Sequence, residues 1–581
     1  MNIFFRVASV GLLVIGVLGL TVAYADNKSP AALASARGSD FIELNQIGYL
    51  PSGHKVAMVS ALKANEFSVV SDDGKTVFEG KLSATKTWPM AADKPFKVAD
   101  FSALKTDGRY HLHVKGVGDS YSFAIAADVF GSLHDGALKA YYFNRASTAL
   151  DEKYAGKFAR PMGHPDTNTK IHRSSASAER PAGTVVPSAK GWYDAGDYGK
   201  YVVNSGISTY TLLLALQQHP DFYRSRDINI PESNNNVPDI LDEVMWNLEW
   251  LATMQDPHDG GVYHKLSTEH FAGMVMPDKA TDQRYFAAKS TAATLDFAAL
   301  MAAASRTLAK YETPFPGVSA KYLKAAQQAY AWALANPHTF FDQRNSGFST
   351  GGYGDSHLDD EFAWAAAELF VSTGDARYLK TFKDLDQKPT VPSWNSVAAL
   401  GYYSLLTAGK ARLSAADAER YTSALTHTAN TILDQYRQST YQVAMEREDF
   451  VWGSNAVAMN KAMLLLLVDE INGSSEYREA ALSLVDYVLG RNPTGYSFIS
   501  GFGSHTPMHI HHRTSQADGI VDPVPGWMAG GPQPGQQDRC VYPSKEPALS
   551  YLDEVCSFST NEIAINWNAP LVFVLAALSQ H

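Results

Sequence analysis

Two aspartates three positions apart form the sharpest chemical motif in the sequence, Gly191-Trp192-Tyr193-Asp194-Ala195-Gly196-Asp197-Tyr198-Gly199-Lys200-Tyr201. Carboxylates this close raise each other's pKa or share a water, which suits a base that holds and deprotonates water. Gly196 and Gly199 are expected to permit a tight turn. A calcium loop or a capping turn would use the same residue types. A second cluster, Pro507-Met508-His509-Ile510-His511-His512-Arg513, brings three histidines within four residues. Metal binding is the obvious chemistry, but the run lacks a paired carboxylate, a cysteine or a His-Glu-x-x-His spacing. In an extended segment adjacent side chains diverge, whereas His511 and Arg513 share one side and suit hydrogen bonds to sugar hydroxyls. In a third cluster, Tyr551 to Pro570, the Asn568-Ala569-Pro570 triplet reads as a helix start. The last helix is therefore expected from 569, with Glu562 in the extended segment before it. Ile563, Ile565 and Trp567 can desolvate Glu562 and raise its pKa, as a general acid requires. A solvated loop glutamate is the other reading of that position.

The elements that must position these groups change character once, near residue 128. Residues 41–127 read as short strands with period-two alternation, as in Lys55-Val-Ala-Met-Val-Ser and Gly108-Arg-Tyr-His-Leu-His-Val, with a hairpin signal at Asp72-Asp73-Gly74. They suggest a small antiparallel sandwich of immunoglobulin-like size. From 129 on, apolar residues recur at three- and four-residue spacing in eleven segments: 131–147, 200–217, 238–254, 287–309, 319–335, 360–373, 394–407, 415–436, 455–469, 475–489 and 569–579. Long irregular stretches separate them at 148–199, 255–286, 337–359 and 491–568, and all the chemistry above falls in those stretches.

Composition narrows the function class. Of 581 residues, 60 are acidic and 49 basic, a net charge of −11, which excludes a broad basic footprint for nucleic acid. Two cysteines exclude a disulfide scaffold and a four-cysteine zinc site. The 29 tyrosines and 10 tryptophans supply rings on which sugar faces stack, although most aromatic residues pack in cores. Arg6 is the sole charge ahead of an apolar run, Val7 to Val22, that ends in Ala23-Tyr24-Ala25. This is the pattern of a signal peptide cleaved after residue 25, with an uncleaved anchor as the alternative. Residues 26–40 then read as a linker, and the mature chain is expected to be periplasmic or secreted, free of the membrane and monomeric.

Together these motifs resemble glycoside hydrolase family nine. The stretch Tyr551-x-Asp553-x4-Phe558-x3-Glu562-x-Ala564-x3-Asn568-Ala569 matches that family's C-terminal signature. Ser497 to Arg513 resembles its other signature, departing at His505, where the family has Asn, Lys or Arg. Asp194-Ala195-Gly196-Asp197 is similar to its N-terminal catalytic motif, and Asn45-Gln-Ile-Gly-Tyr-Leu-Pro51 resembles the start of the small domain that precedes the catalytic one. The resemblance implies an immunoglobulin-like β-sandwich (41–127) followed by an (α/α)6 toroid (128–581). It implies inverting, endo-acting hydrolysis of β-1,4-linkages in cellulose-type or mixed-linkage β-glucans. Asp197 would be the general base, Asp194 would help hold the water, and Glu562 would be the general acid. His511 and Arg513 would bind the sugar beside the scissile bond, with Asp553 supporting the same site.

Trp192, Tyr263, Trp452, Trp527 and Tyr551 are candidate stacking platforms, and the Gly260-Gly-Val-Tyr-His264-Lys265 loop resembles a cleft wall of relatives. Asp355, Ser356, Asp359, Asp360 and Glu361 resemble a calcium loop of the family, with Asn395 standing where the family often adds an aspartate after a Ser-Trp pair. A solvated acidic helix start is the alternative. The zinc site that some relatives build from cysteines ahead of the Asp-Ala-Gly-Asp motif is expected to be absent. No cofactor is expected for catalysis. Cys540 and Cys556 bracket Tyr551 and Asp553 and could pair in an oxidising compartment; two buried thiols are the alternative. An exo-acting β-glucosidase or β-glucosaminidase on the same fold, or a glucan-binding protein without turnover, would share these features.

Overall fold

The computed structural model describes residues 38–580; the leader and most of the linker expected from the sequence lie outside them. Nine short strands occupy the N-terminal region: β1 Ile42–Glu43, β2 Gly48–Tyr49, β3 Val56–Val59, β4 Glu66–Ser71, β5 Thr76–Lys81, β6 Lys97–Asp100, β7 Gly108–Val114, β8 Gly118–Asp119 and β9 Phe123–Ile125. One sheet has the order β1-β3-β6; the other runs β2-β9-β7-β4-β5, with β8 on β7. Alternating residues such as Val69, Leu112 and Val114 fill the space between them. The expected turn at Asp72–Gly74 joins β4 to β5. Antiparallel pairing holds everywhere except β2 with β9, which run parallel. Those strands open and close the domain, so no hairpin dictates their direction.

Twelve helices of nine or more residues follow among the described residues: α1 Gly131–Phe143, α2 Val202–Gln218, α3 Asp239–Met254, α4 Thr291–Leu308, α5 Val318–Ala335, α6 Asp359–Thr373, α7 Ala376–Leu385, α8 Ala398–Leu406, α9 Ala415–Gln438, α10 Ser454–Asn472, α11 Ser475–Val488 and α12 Ile565–Leu578. Even-numbered helices form an inner ring. α2, α4, α6 and α8 pack in succession, α9 links α8 to α10, and α12 closes the ring onto α10 and α2. The inner helices are covered on almost every side; α2 leaves only its last two residues partly exposed. Odd-numbered helices pack outside them, giving six hairpins. α7 is the helix missing from the sequence reading. It buries only Phe382 fully, with Tyr378, Leu379 and Leu385 half-buried beside it, and its polar residues leave a narrow apolar stripe.

One boundary differs in a way that matters for the site. The last helix begins at Ile565, four residues before the expected start, and carries Pro570 inside it. Asn568 does not cap it. Its side chain accepts from the Met528 amide at 2.8 Å and donates to the Ala137 and Gly526 carbonyls at 2.9 Å, pinning α1 and the 526–528 loop to the helix. The ring closure brings residues 194–197 and 562, far apart in sequence, to one end of the toroid. One further sheet of four short strands stiffens the loops there: β10 Lys170–Ile171, β11 Lys200–Tyr201, β12 Lys265–Ser267 and β13 Tyr285–Phe286, in the order β10-β13-β12-β11.

Candidate active site

Backbone contacts lace the three chemical motifs together. Ala195 bridges antiparallel to Ala564, and His511 lies parallel to Glu562. The Ile565 amide donates to the Asp194 carbonyl at 2.9 Å, the Arg513 amide to Gly196 at 3.0 Å, and the His511 amide to Asn561 at 2.9 Å. This close approach explains the glycines. Gly196 and Gly199 both lie outside the left-handed region, so the expected tight turn is not their reason. A Cβ on Gly196 would sit 2.0 Å from the His511 carbonyl oxygen, and one on Gly199 would sit 2.5 Å from the Tyr201 hydroxyl.

The two aspartates differ in what holds them. Asp197 accepts at Oδ2 from the Gly199 amide and the Tyr201 hydroxyl, both at 2.9 Å. Its Oδ1 has no donor among the described residues and is left for water. Asp194 is buried, and both its oxygens are taken: Oδ1 accepts from Asn204 Nδ2 at 2.7 Å and Oδ2 from the Tyr353 hydroxyl at 2.6 Å. The expectation that Asp194 holds the water therefore meets a carboxylate already occupied by protein donors. Burial, and then the Asp197 charge, push its pKa up to about 8. Glu562 accepts at Oε1 from the Gly196 amide at 3.3 Å. Burial, followed by the Asp197 carboxylate, holds its pKa well above the usual carboxylate range, against the opposing pull of Arg513. Thus Glu562 keeps a proton while a neighbouring aspartate presents an open oxygen.

The remaining residues of the signatures support this arrangement. His511 Nδ1 faces the Val555 carbonyl at 2.6 Å, so Nδ1 carries the proton and Nε2 is the free acceptor of the neutral ring. Burial lowers its pKa. The three histidines do not gather: His509 is exposed, and His512 is buried against Ser515. Arg513 spends Nε on the Ala272 carbonyl (2.9 Å) and Nη1 on the Gly196 carbonyl (2.8 Å), so it holds loops together more than it reaches for a sugar. Asp553 accepts from the Met508 amide (2.8 Å), the His509 amide (2.9 Å) and Asn561 Nδ2 (3.0 Å), and acts through the strand that carries His511.

Most of the expected stacking platforms are core. Trp192, Trp527 and Tyr263 are fully buried, and Tyr551 is buried with its hydroxyl donated to Asn561 Oδ1 at 2.5 Å. Tyr263 instead donates to Asp256 at 3.2 Å. His264 is also buried, stacked on Phe341 at 4.0 Å with its ring nitrogens on Ser290 and the Gly352 carbonyl, so it touches no cleft. Trp452 alone stays open, 41% exposed, and leads inward through Phe558 to His511, each ring pair at 5.6 Å. The structure adds residues that the sequence left unassigned. Tyr353 reaches Asp194 from a left-handed backbone (φ 46°), an uncommon conformation for a bulky residue and one that clusters at functional sites. Lys265 is buried near Asp197, which favours its charged form although burial lowers its pKa to about 7. Phe271 is 48% exposed, lies under the Arg513 guanidinium at 5.3 Å, and lines the same cavity as Asp197.

The acidic loop divides. Asp355, Asp360 and Glu361 crowd one another together with Asp296 of α4, a residue the sequence reading did not select, and each raises the Glu361 pKa. Both oxygens of Asp296 and of Glu361, and Oδ2 of Asp355, are buried without a hydrogen-bond partner. Ser356 and Asp359 are exposed, and Asn395 is an exposed side chain that accepts from Ser393 at 2.8 Å, so these three stand apart from the buried group. Hard, uncompensated oxygens are the donor chemistry of Ca²⁺, although among the described residues no three such side chains converge at metal-holding geometry. Cys540 and Cys556 are joined in a disulfide. Asp538 in the same loop accepts at Oδ2 from the Ser559 amide (2.9 Å) and the Tyr542 hydroxyl (2.6 Å), tying that loop to the turn before Glu562.

The glycosyl hydrolase family 9 model matches residues 130–575, and that of the cellulase N-terminal ig-like domain matches 38–119. A xyloglucan-specific endo-β-1,4-glucanase of Bacteroides ovatus is 44% identical over 557 residues, covering 93% of this chain and 94% of its own. Endoglucanase D of Acetivibrio thermocellus is 35% identical over 543 residues, covering 92% of this chain and 83% of its own. Among solved structures, a Bacteroides ovatus GH9 superposes with a TM-score of 0.88 at 42% identity over 93% of this chain and 99% of its own. AaCel9A bound to cellobiose-like isofagomine gives 0.85 at 32% identity over 93% of this chain and all of its own.

Proposed function

The chain belongs to glycosyl hydrolase family 9 and is an endo-acting β-1,4-glucanase, and we propose that it cleaves with inversion, Asp197 serving as general base and Glu562 as general acid. The carrying observation is the asymmetry of the carboxyls: Asp197 offers an open Oδ1, while Glu562 is desolvated and keeps its proton. In a single displacement Asp197 takes a proton from water, and the water oxygen attacks the anomeric carbon. The bond to the leaving oxygen breaks as Glu562 protonates it. Inversion needs carboxyls on opposite faces of the sugar, roughly 6.5–9.5 Å apart, with room for the water. Asp194, fixed by Asn204 and Tyr353, sets the charge beside Asp197, and His511 Nε2 is free to accept from a sugar hydroxyl. On carboxymethylcellulose and cellohexaose, Glu562→Gln and Asp197→Asn should each lose at least about 10²-fold in kcat. Near-normal turnover by either variant would remove the assignment, and reducing-end release by the wild type without a fall in polymer viscosity would argue for exo action.

We also infer that the cluster of Asp296, Asp355, Asp360 and Glu361 takes calcium, supported by its orphaned buried oxygens. Bound there, the cation would neutralise the repulsion between α4 and the start of α6, away from the reacting carboxyls. The leader pattern supports export to the periplasm or beyond, and none of the described helices is long and apolar enough to cross a membrane.

A further inference from the structure

The ring of His511 is oriented by one short segment of chain. Its backbone is fixed by the strand that carries Glu562, where its amide donates to the Asn561 carbonyl. Its side chain instead answers to residues 555–558. Nδ1 donates to the Val555 carbonyl at 2.6 Å, and the Phe558 ring meets the imidazole edge-on at 5.6 Å. Cys556 stands between those two contacts and is bonded to Cys540, sixteen positions earlier. The loop that holds Cys540 has no core of its own. None of residues 534–546 is buried, Val541 is 91% exposed, and Gln536 and Arg539 hold left-handed backbones. Hydrogen bonds at Gln536, Asp538 and Tyr542 tie the loop down from half-buried groups. Such bonds compete with water and open locally, whereas a disulfide does not.

We propose that the Cys540–Cys556 disulfide positions His511: it fixes Val555 and Phe558 against the imidazole and so makes turnover depend on the redox state of the pair. The inference rests on the β-glucanase reading above, in which His511 Nε2 accepts from a sugar hydroxyl. Cys556 is exposed, so a small dithiol reaches the bond. A thiolate of the reagent attacks one cysteine sulfur and releases the other. Its second thiol then closes the reagent's own disulfide and releases the first. Two electrons and two protons end on Cys540 and Cys556, which become thiols. The 555–558 segment is then held by hydrogen bonds and packing alone, and the His511 ring is free to swing away from the Val555 carbonyl. The reduced enzyme is folded but slow, and oxidation of the pair restores the fast form.

The assay is kcat/KM on cellohexaose for the full chain oxidised, reduced with dithiothreitol and reoxidised. Thiol titration counts the two thiols, and thermal melts check the fold at the assay temperature. A His511→Ala enzyme is oxidised and reduced in parallel, and a Cys540→Ser, Cys556→Ser variant controls for other effects of the reagent. The expected result is a loss of about tenfold on reduction, regained on reoxidation. The serine variant should carry the same loss and ignore dithiothreitol. Reduction of the His511→Ala enzyme should cost less than about twofold, because the group that the bond positions is already gone. Full activity with both thiols titrated overturns the proposal. So does an equal loss with and without the His511 side chain, or a loss that comes with unfolding, since the bond would then serve the fold alone. Inactivity of the oxidised wild type would instead remove the glucanase reading on which the proposal stands.

Discussion

Tyr353→Phe tests how the aspartate pair is tuned. The ring packs edge-on against Trp394 at 5.3 Å and leans on Tyr201 at 5.1 Å, so phenylalanine keeps the packing and removes only the hydroxyl. Asp194 then loses its 2.6 Å donor at Oδ2 and keeps only Asn204. A hydrogen bond to a charged acceptor contributes roughly 1.5–3 kcal/mol, and it favours the ionised form. Losing it makes ionisation of a carboxyl already near pKa 8 harder still. The ionised form of Asp194, beside the Asp197 charge, therefore becomes scarcer on the acid side. At 1.36 kcal/mol per factor of ten, the ceiling on the loss is about 10–100-fold in kcat. The deficit should shrink as pH rises and Asp194 regains its charge. Initial rates on cellohexaose from pH 4 to 9, beside the wild type, measure this. A deficit constant across pH, or none, would refute the reasoning that the Tyr353 hydroxyl acts through carboxylate charge.

Three further outcomes follow from contacts described above. Gly196→Ala places a methyl 2.0 Å from the His511 carbonyl, so the two catalytic segments must separate, and kcat should fall by more than about 10²-fold while the protein still folds by circular dichroism. Gln46→Ala removes the side chain that donates to the Gly495 carbonyl (2.8 Å) and accepts from the Ser504 and His505 amides (2.9 and 2.8 Å). Orphaning those groups should cost about 1–3 kcal/mol in denaturant unfolding. Chelation should lower the melting temperature, with recovery on added Ca²⁺ but not in an Asp296→Asn, Glu361→Gln variant; a variant that still responds would place the ion elsewhere.

The helical frame was legible because inner helices such as α2 and α4 repeat apolar residues over four or five turns. α7 was not, since its stripe of Tyr378, Leu379, Phe382 and Leu385 runs through a helix of only ten residues. The Asn568-Ala569-Pro570 triplet misled because proline fits a helix start, and here the helix tolerates it a turn and a half in. Among site residues, those that carry the reaction's charge stood in short motifs, so Asp194, Asp197 and Glu562 were visible. Their tuning partners were not. Tyr353 meets Asp194 across 159 positions, and Asp296 becomes chemically meaningful only when α6 lays Glu361 beside it. Aromatic type alone does not separate core from cleft: Trp192 and Tyr263 are sealed inside, while Trp452 and the unselected Phe271 face out. The departure at His505 from the family pattern is accommodated because its backbone amide, held by Gln46, makes the loop contact, and its ring packs on Tyr496 at 3.8 Å.

The central claim is that Asp197 and Glu562 work from opposite faces of one sugar in a single displacement. The most direct measurement is proton NMR of the anomeric signals during the first minutes of cellohexaose cleavage, before mutarotation. The account predicts that the newly formed reducing end appears as the α-anomer and only later equilibrates. A β-anomer appearing first would contradict it.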